Sequence, residues 1–340
     1  NLSYRMKRLG VCGRIRDWSA TAPPPPVLTP APRACMPRRA PDPMTEPAPM
    51  SLKARLAAGP AVLAPGAYDP LTALLIEQAG FEAAYVSGAS VAYTLLGRPD
   101  IGLVSASQVA DVVFRMRDRV ALPLIVDADT GFGNALNVMQ TVRSFEKAGA
   151  TAIQLEDQTS PKRCGHLAGK DLISAAEMVG KVKAAVDARR SDQTLIVART
   201  DAISVEGFEA ALARAHAYVD AGADVIFVEA PQDETQMARI GAEVGARVPA
   251  LANMVEGGKT PLKTADELDA LGFRLVITPG AMARAVVWQA QAFLADLKAN
   301  GSTRGFRDRM LDLSGLNAVI GLNDQVALGQ RYESRLKAAE

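Results

Sequence analysis

Eight short apolar runs, separated by longer amphipathic stretches from residue 60 onward, constrain the fold of this chain more than any other feature. The first four are Val62-Leu63-Ala64, Ala84-Tyr85-Val86, Leu124-Ile125-Val126 and Ala152-Ile153-Gln154-Leu155. The others are Leu195-Ile196-Val197, Val225-Ile226-Phe227-Val228, Ala250-Leu251-Ala252 and Leu275-Val276-Ile277. Continuous runs of this kind suit strands of a parallel sheet covered on both faces, where no polar face interrupts the pattern. Segments between them, such as Glu209 to Asp220, carry small residues and spaced charges and predict helices. The dipeptides Ala79-Gly80, Ala148-Gly149 and Ala221-Gly222 read as helix stops feeding the next strand. Eight such units predict a (β/α)8 barrel rather than a doubly wound sheet, which usually carries fewer strands.

The residues that follow the runs are polar: Ser87, Asp127, Asp129, Glu156, Asp157, Arg199, Asp201, Glu229 and Asn253. In a barrel all strand ends converge on one rim, so groups distant in sequence would surround one cavity. A single Asp after a strand commonly caps a helix, and Asp201 reads that way. Capping does not account for polar groups at six strand ends in succession.

Composition narrows the function classes. The net charge of +1 gives no long-range attraction for nucleic acid or a membrane surface. No apolar run approaches the roughly 20 residues that span a bilayer. Three cysteines cannot all pair, and Cys12 and Cys35 lie far from Cys164, which disfavours a disulfide framework and favours a cytoplasmic setting. Residues 1–49 differ from the rest: Pro23-Pro24-Pro25-Pro26, further prolines to Pro49, several arginines and few acids predict a disordered extension. It reads as an extension or an upstream start-site error, with Met44 or Met50 as alternative starts. One catalytic domain is expected over residues 51–340.

The segment Lys162-Arg163-Cys164-Gly165-His166 places a thiol beside cations that favour the thiolate. Local sequence leaves a reactive thiol and an idle basic loop on equal terms. Asp127-Ala128-Asp129, with Glu156 reaching the same mouth, offers hard oxygen ligands suited to Mg²⁺. Zinc is disfavoured, since His216 falls within a predicted helix and Cys164 lacks close partners. Arg199 offers a bidentate fork for a carboxylate, and Ser87-Gly88-Ala89 offers a hydroxyl and backbone N–H groups to an anion. A metal, a carboxylate clamp and a thiol together suit enolate chemistry. Gly131-Phe132-Gly133 is too short for a dinucleotide fingerprint, and no Walker loop is present.

The chain resembles the isocitrate lyase/phosphoenolpyruvate mutase superfamily over roughly residues 52–335. The resemblance rests on Pro65-Gly66-Ala67-Tyr68-Asp69, Tyr85-Val86-Ser87-Gly88, Gly97-Arg98-Pro99-Asp100, Asp127 to Gly133 and Glu156-Asp157-Gln158. It continues through Lys162 to His166, Ala198-Arg199-Thr200-Asp201-Ala202 and Asn253 to Pro261. It implies a barrel that uses Mg²⁺, or Mn²⁺ in its place, on 2-oxo or 2-hydroxy acids through a pyruvate-like enolate. By position, Asp127 and Asp129 would be metal carboxylates, with Asp100 and Glu156 acting through waters. Ser87, Gly88, Ala89, Arg199 and Asn253 would hold the pyruvoyl-type portion, with Tyr85, Gly165 and Glu229 also in the pocket. Cys164 would protonate the departing carbanion, on a loop shared with Lys162 and His166. The general base could be a carboxylate of the metal shell or Tyr85.

The resemblance thus implies a lyase that cleaves a 2-hydroxy diacid, alkylmalate or methylisocitrate-like, to a 2-oxo acid such as pyruvate plus a carboxylate. Simple phosphoenolpyruvate mutases carry a different loop sequence, which disfavours that activity. Asn253 to Pro261 is closer to dimethylmalate lyases and carboxyphosphonoenolpyruvate mutases than to methylisocitrate lyases. Carboxyphosphonoenolpyruvate phosphonomutation is therefore the alternative, and a non-catalytic metabolite-binding barrel a distant third. Arg98 departs from the usual aliphatic residue and is expected at the pocket mouth. A homotetramer, a dimer of dimers that exchange the last barrel helix near Val286-Val287-Trp288, is also implied.

Overall fold

The computed structural model describes residues 50–163, 165 and 169–337, with side chains through Tyr332. The expectations for residues 1–49, Cys164 and His166 lie outside the described residues. Each of the eight apolar runs forms a strand. The first four are β1 (Val62–Ala67), β2 (Ala84–Val86), β3 (Leu124–Asp127) and β4 (Ala152–Glu156). β5 (Leu195–Thr200), β6 (Val225–Val228), β7 (Ala250–Asn253) and β8 (Phe273–Thr278) complete the sheet. All neighbours pair in parallel in sequence order, and β1 pairs with β8 to close the barrel, with Val62 opposite Leu275.

Every residue of β2, β3, β4, β5 and β6 is buried, because the barrel interior covers one face and the helical layer the other. The two faces form two apolar clusters. Ile125, Leu195, Val197, Phe227, Leu251 and Leu275 fill the barrel, whereas Val126, Ile153, Leu155, Ile196 and Ala198 meet the helices. Helix α5 (Ala135–Ala148) buries Val138, Val142 and Phe145, spaced to lie on one helical face. Asn134 caps its start by accepting the Leu136 and Asn137 N–H groups, and Gly149 ends it at φ 105°. Gly80 and Gly222 also take positive φ, as expected of the other Ala-Gly stops.

The chain between β1 and β2 folds as α2 (Pro70–Gln78), and that between β2 and β3 as α3 (Gly88–Val91) and α4 (Ala106–Arg119). α6 (Ala175–Ala188) and α7 (Phe208–Asp220) follow β4 and β5, and α8 (Glu234–Glu243) and α9 (Ala265–Ala270) follow β6 and β7. α1 (Leu52–Ala57) precedes the barrel. His216 sits in α7, the helix expected for it, partly buried and with its Nδ1 3.3 Å from Arg247.

Beyond β8 the chain forms α10 (Ala281–Asn300), α11 (Leu313–Val319) and α12 (Leu322–Lys337). Ala283 is the one fully buried residue of the 20-residue α10, and α11 has none. No helix among the described residues is long and apolar enough to cross a membrane.

Candidate active site

The period of two along each strand builds the site. Below the mouth, Ile125, Val197, Phe227 and Leu251 fill the interior; two residues later on the same strands or just beyond stand Asp127, Arg199, Glu229 and Asn253. β4 contributes Gln154 and Glu156 in the same way. Register brings neighbours level: Asp127 lies opposite Gln154, and Glu156 opposite Arg199. Tyr85, Ser87, Ala89, Asp100 and Asp127 line one side of a cavity of about 580 Å³ that is open to solvent. Lys162, Gly165, Arg199, Glu229 and Asn253 also line it, with Tyr93, Phe227 and Arg284 among the others. Arg98 is exposed and lies outside that lining, which corrects the expectation that it shapes the mouth.

Asp100, Asp127, Asp129 and Glu156 are all buried. The Lys162 ammonium donates to Asp100 at 2.7 Å and lies 3.0 Å from Asp129 Oδ1. Asp127 accepts from the Gln154 amide at 3.2 Å and from the Asp129 N–H at 3.1 Å. Asp129 takes φ 47°, a left-handed conformation that Asp tolerates better than most residues. Gly88 backs this cluster: its N–H donates to Asp127 Oδ2 at 3.3 Å, and a Cβ there would come within 2.9 Å of that oxygen.

Burial raises the Asp129 carboxyl to about 7; Lys162 works against the rise, while Asp127 and Asp100 add to it. Burial likewise pushes Glu156 well above the usual carboxylate range, against the pull of Arg199. The same carboxylates hold the Lys162 ammonium charged in spite of its burial, which makes it a counter-ion.

This donor set fits a divalent cation. Four buried carboxylates gather near two cations, Lys162 at 3.0 Å from Asp129 and Arg199 at 3.4 Å from Glu156, and Glu156 Oε1 accepts no hydrogen bond. Among the described residues, no three His, Cys, Asp or Glu side chains converge as direct ligands of one ion.

Arg199 is buried and stacks over Phe227 at 5.0 Å from the ring centre. Its Nε donates to Asp201 Oδ2 at 2.9 Å and its Nη2 to Asp201 Oδ1 at 3.0 Å, so that edge of the fork is already engaged. Asp201 is therefore the partner of Arg199 and not a helix cap; its side chain makes no capping hydrogen bond. Burial opposes ionisation of Asp201, but Arg199 and Lys170 prevail and hold it at about 2. Glu229 lies 3.6 Å from Arg199 and accepts from the Asn253 amide at 3.1 Å. The Asn253 Oδ1 atom accepts no hydrogen bond.

Ser87 caps α3 by accepting the Ser90 N–H at 3.2 Å. Tyr85 donates its hydroxyl to Gln154 Oε1 at 2.7 Å inside the barrel. Burial, assisted by Asp127, pushes its phenol well above the ordinary value. Asp157, grouped with Glu156 on sequence grounds, points the other way. Its carboxylate accepts from Tyr218 at 2.7 Å, Arg214 at 3.3 Å and the Asp201 N–H at 2.9 Å, within the helical layer.

Several residues of the site escaped the sequence reading, among them Tyr93 and Arg284 of the cavity wall, and Gln154, Phe227 and Lys170 around its charged groups. Gln154 and Phe227 stand two positions before Glu156 and Glu229, so strict alternation along β4 and β6 would have flagged them. Lys170 carries no such signal. Its buried ammonium donates to Asp201 Oδ1 at 2.7 Å and to the Gly165 carbonyl at 2.5 Å, a contact set by chain folding alone.

Comparison with known proteins agrees with this geometry. The phosphoenolpyruvate phosphomutase family matches residues 52–298. The 2,3-dimethylmalate lyase of Eubacterium barkeri is 45% identical over 261 residues, 77% of this chain and 90% of that protein. The 2-methylisocitrate lyase of Aeropyrum pernix is 47% identical over 263 residues, 77% of this chain and 84% of that protein. A crystal structure of 2,3-dimethylmalate lyase, described as a PEP mutase/isocitrate lyase superfamily member, aligns with a TM-score of 0.78 at 33% identity, covering 83% of this chain and 94% of that one. With a closed eight-stranded barrel, an acidic rim and relatives of this similarity, the chain belongs to the isocitrate lyase/phosphoenolpyruvate mutase superfamily, as an enzyme of its carbon–carbon lyase group.

Proposed function

We propose that the enzyme cleaves the C2–C3 bond of a 2-hydroxy diacid, an alkylated malate or a methylisocitrate-like compound, to a 2-oxo acid such as pyruvate and a carboxylate. The observation that carries this reading is that Arg199, paired with Asp201, and the carboxylates Asp100 and Asp127 line one cavity, with Lys162 joining Asp100 to the buried Asp129 and Glu156 lying 3.4 Å from Arg199. Arg199, Asn253 and the Ser87 to Ala89 turn receive the carboxylate and oxygen of the oxo-acid half. A divalent cation, Mg²⁺ or Mn²⁺, held by Asp127 and Asp129 and through waters by Asp100 and Glu156, would offset negative charge that develops on the substrate oxygen.

The base that removes the 2-hydroxyl proton is a carboxylate of this cluster. Tyr85 is the weaker candidate, because burial holds its phenol protonated and it is hydrogen-bonded to Gln154. As the C2–C3 bond breaks, its electron pair passes to C3, and Cys164 supplies the proton there. Support for that role comes from Lys162 and Gly165, which flank Cys164 and both line the cavity. His166, on the same loop, completes the proposed catalytic group, and the dependence on a free thiol favours the cytoplasm.

Incubation with a panel including 2,3-dimethylmalate and 2-methylisocitrate, with Mg²⁺, should release an oxo acid from at least one of them. Formation of a C–P bond from carboxyphosphonoenolpyruvate, with every diacid inert, would favour phosphonomutation. Cys164→Ser should abolish turnover and keep Mg²⁺-dependent oxalate binding; full turnover in that variant overturns the role of Cys164.

The assembly proposed is a homotetramer built from dimers that exchange α10. Val286, Val287 and Trp288 are each about half exposed, and Trp288 and Val287 join Tyr93 and Ala283 along a shallow groove, a cluster that an exchanged helix would cover.

A further inference from the structure

The excursion from Gln158 to Leu172 leaves the end of β4 and returns to it. An antiparallel bridge joins Gln158 to Leu172, and the Thr159 N–H donates to the Asp171 carbonyl at 2.8 Å. On the outgoing side, the Gln158 amide pins the Arg163 backbone through two 2.9 Å hydrogen bonds, and Lys162 reaches Asp100 and Asp129. On the returning side stands Lys170, with its side chain 2% exposed. Its one ammonium joins the Gly165 carbonyl to Asp201, the carboxylate that holds Arg199.

Gly165 sits tightly against the same group. A Cβ there would lie 2.2 Å from Arg199 Nη2 and 2.9 Å from Glu229, so a larger residue would have to displace those two side chains. Burying an ammonium costs several kcal/mol unless it is fully paired, and packing alone would be better served by an apolar side chain. What the charge adds is a tie between two elements that meet at the cavity: the loop backbone at Gly165 and the carboxylate clamp at β5.

We infer that Lys170 is a positioning residue, which fixes the Gly165 backbone against the Arg199–Asp201 pair and so sets how closely the chain at Gly165 approaches the reacting substrate. The inference deepens the lyase reading above and rests on it for its kinetic arm. Arg199 keeps both of its bonds to Asp201 without Lys170, so substrate binding should survive the loss of the tie while the alignment of the loop does not.

The test is Lys170→Met in the full chain, with Mg²⁺ and oxalate as the binding probe. The expected result is a fall in kcat of about 10- to 100-fold, with KM and the oxalate Kd changed by less than about threefold. Amide hydrogen exchange over residues 158–171 of the Mg²⁺–oxalate complex should rise, with the remaining barrel unchanged. Lys170→Arg, which keeps the cation and its donors, should restore most of kcat. Should Lys170→Met fail to fold, Lys170→Gln, which keeps a donor without the charge, carries the same readouts. A variant with kcat within about twofold of the parent and unchanged exchange overturns the inference. So does a loss of oxalate affinity equal to the loss of kcat, which would mark a general structural role. If the parent enzyme turns over no diacid but the variant still loosens residues 158–171, the lyase reading falls and the positioning inference stands.

Discussion

Asp129 is the residue whose chemistry depends most on its surroundings. Its carboxyl is raised to about 7 from an ordinary 3.8, so between those values the metal-free folded protein holds a proton that the unfolded chain has released. Stability from this group is therefore complete below about 4 and is lost as pH rises through about 7. Asp201 acts in the opposite sense: held at about 2, it contributes stability that persists at neutral pH and is lost only as pH falls toward 2. A divalent cation must displace the Asp129 proton, so its apparent affinity should rise by up to about tenfold per pH unit below 7. Calorimetric titration with Mg²⁺ at pH 6 and 8 checks this, and equal affinities would remove Asp129 from the ligand set. Tyr85→Phe should lower kcat by less than about tenfold and leave the pH–rate profile in place, since the phenol positions Gln154 and does not exchange its proton. A loss of about 10³-fold together with the loss of one limb of that profile would make Tyr85 the base after all. At this scale the sequence showed which residues are acidic or basic, but not their direction. Adjacent Glu156 and Asp157 face opposite sides of β4, and Asp201 turned out to grip Arg199 where a helix cap was expected.

Strands were the most legible elements, because each apolar run is long enough to cross the barrel wall and is bounded by helix stops. What the runs could not convey is how closely neighbouring elements approach. In β1, a Cβ on Gly66 would lie 2.0 Å from the Pro279 carbonyl at the end of β8, the seam where the barrel closes. Gly66→Ala should therefore destabilise the protein by about 1–3 kcal/mol, read as a lower urea midpoint; an unchanged midpoint would mean that the seam yields freely. Between α7 and β4, Tyr218 donates to the buried Asp157 carboxylate, whose other oxygen receives the Asp201 N–H. Tyr218→Phe removes one donor from a charged, buried acceptor and should cost about 1–3 kcal/mol. Because Asp157 also supports the backbone of Asp201, kcat should fall in that variant alongside its stability; intact activity would separate the network from the site. Neither contact has a sequence signature, since both join residues dozens of positions apart.

The whole molecule ends in helices that the barrel does not cover. α10 spans about 30 Å by helical geometry and has one fully buried residue, a ratio that an isolated amphipathic helix rarely tolerates. Light scattering should give a tetramer, and Trp288→Glu should lower the assembly state and the melting temperature together; a monomeric parent enzyme would overturn the helix exchange. The sequence by itself determined the barrel, because eight buried runs in parallel order have few other ways to cover both faces. It also determined which strand ends carry carboxylates and Arg199, since the period of two is written into the chain. Only the tertiary structure decided the pairing: Lys162 among Asp100 and Asp129, Arg199 with Asp201, and Lys170 joining Asp201 to Gly165. Those partners are chosen by packing and by the low dielectric of the interior, where each buried charge must find its counter-charge wherever the folded chain brings one within reach.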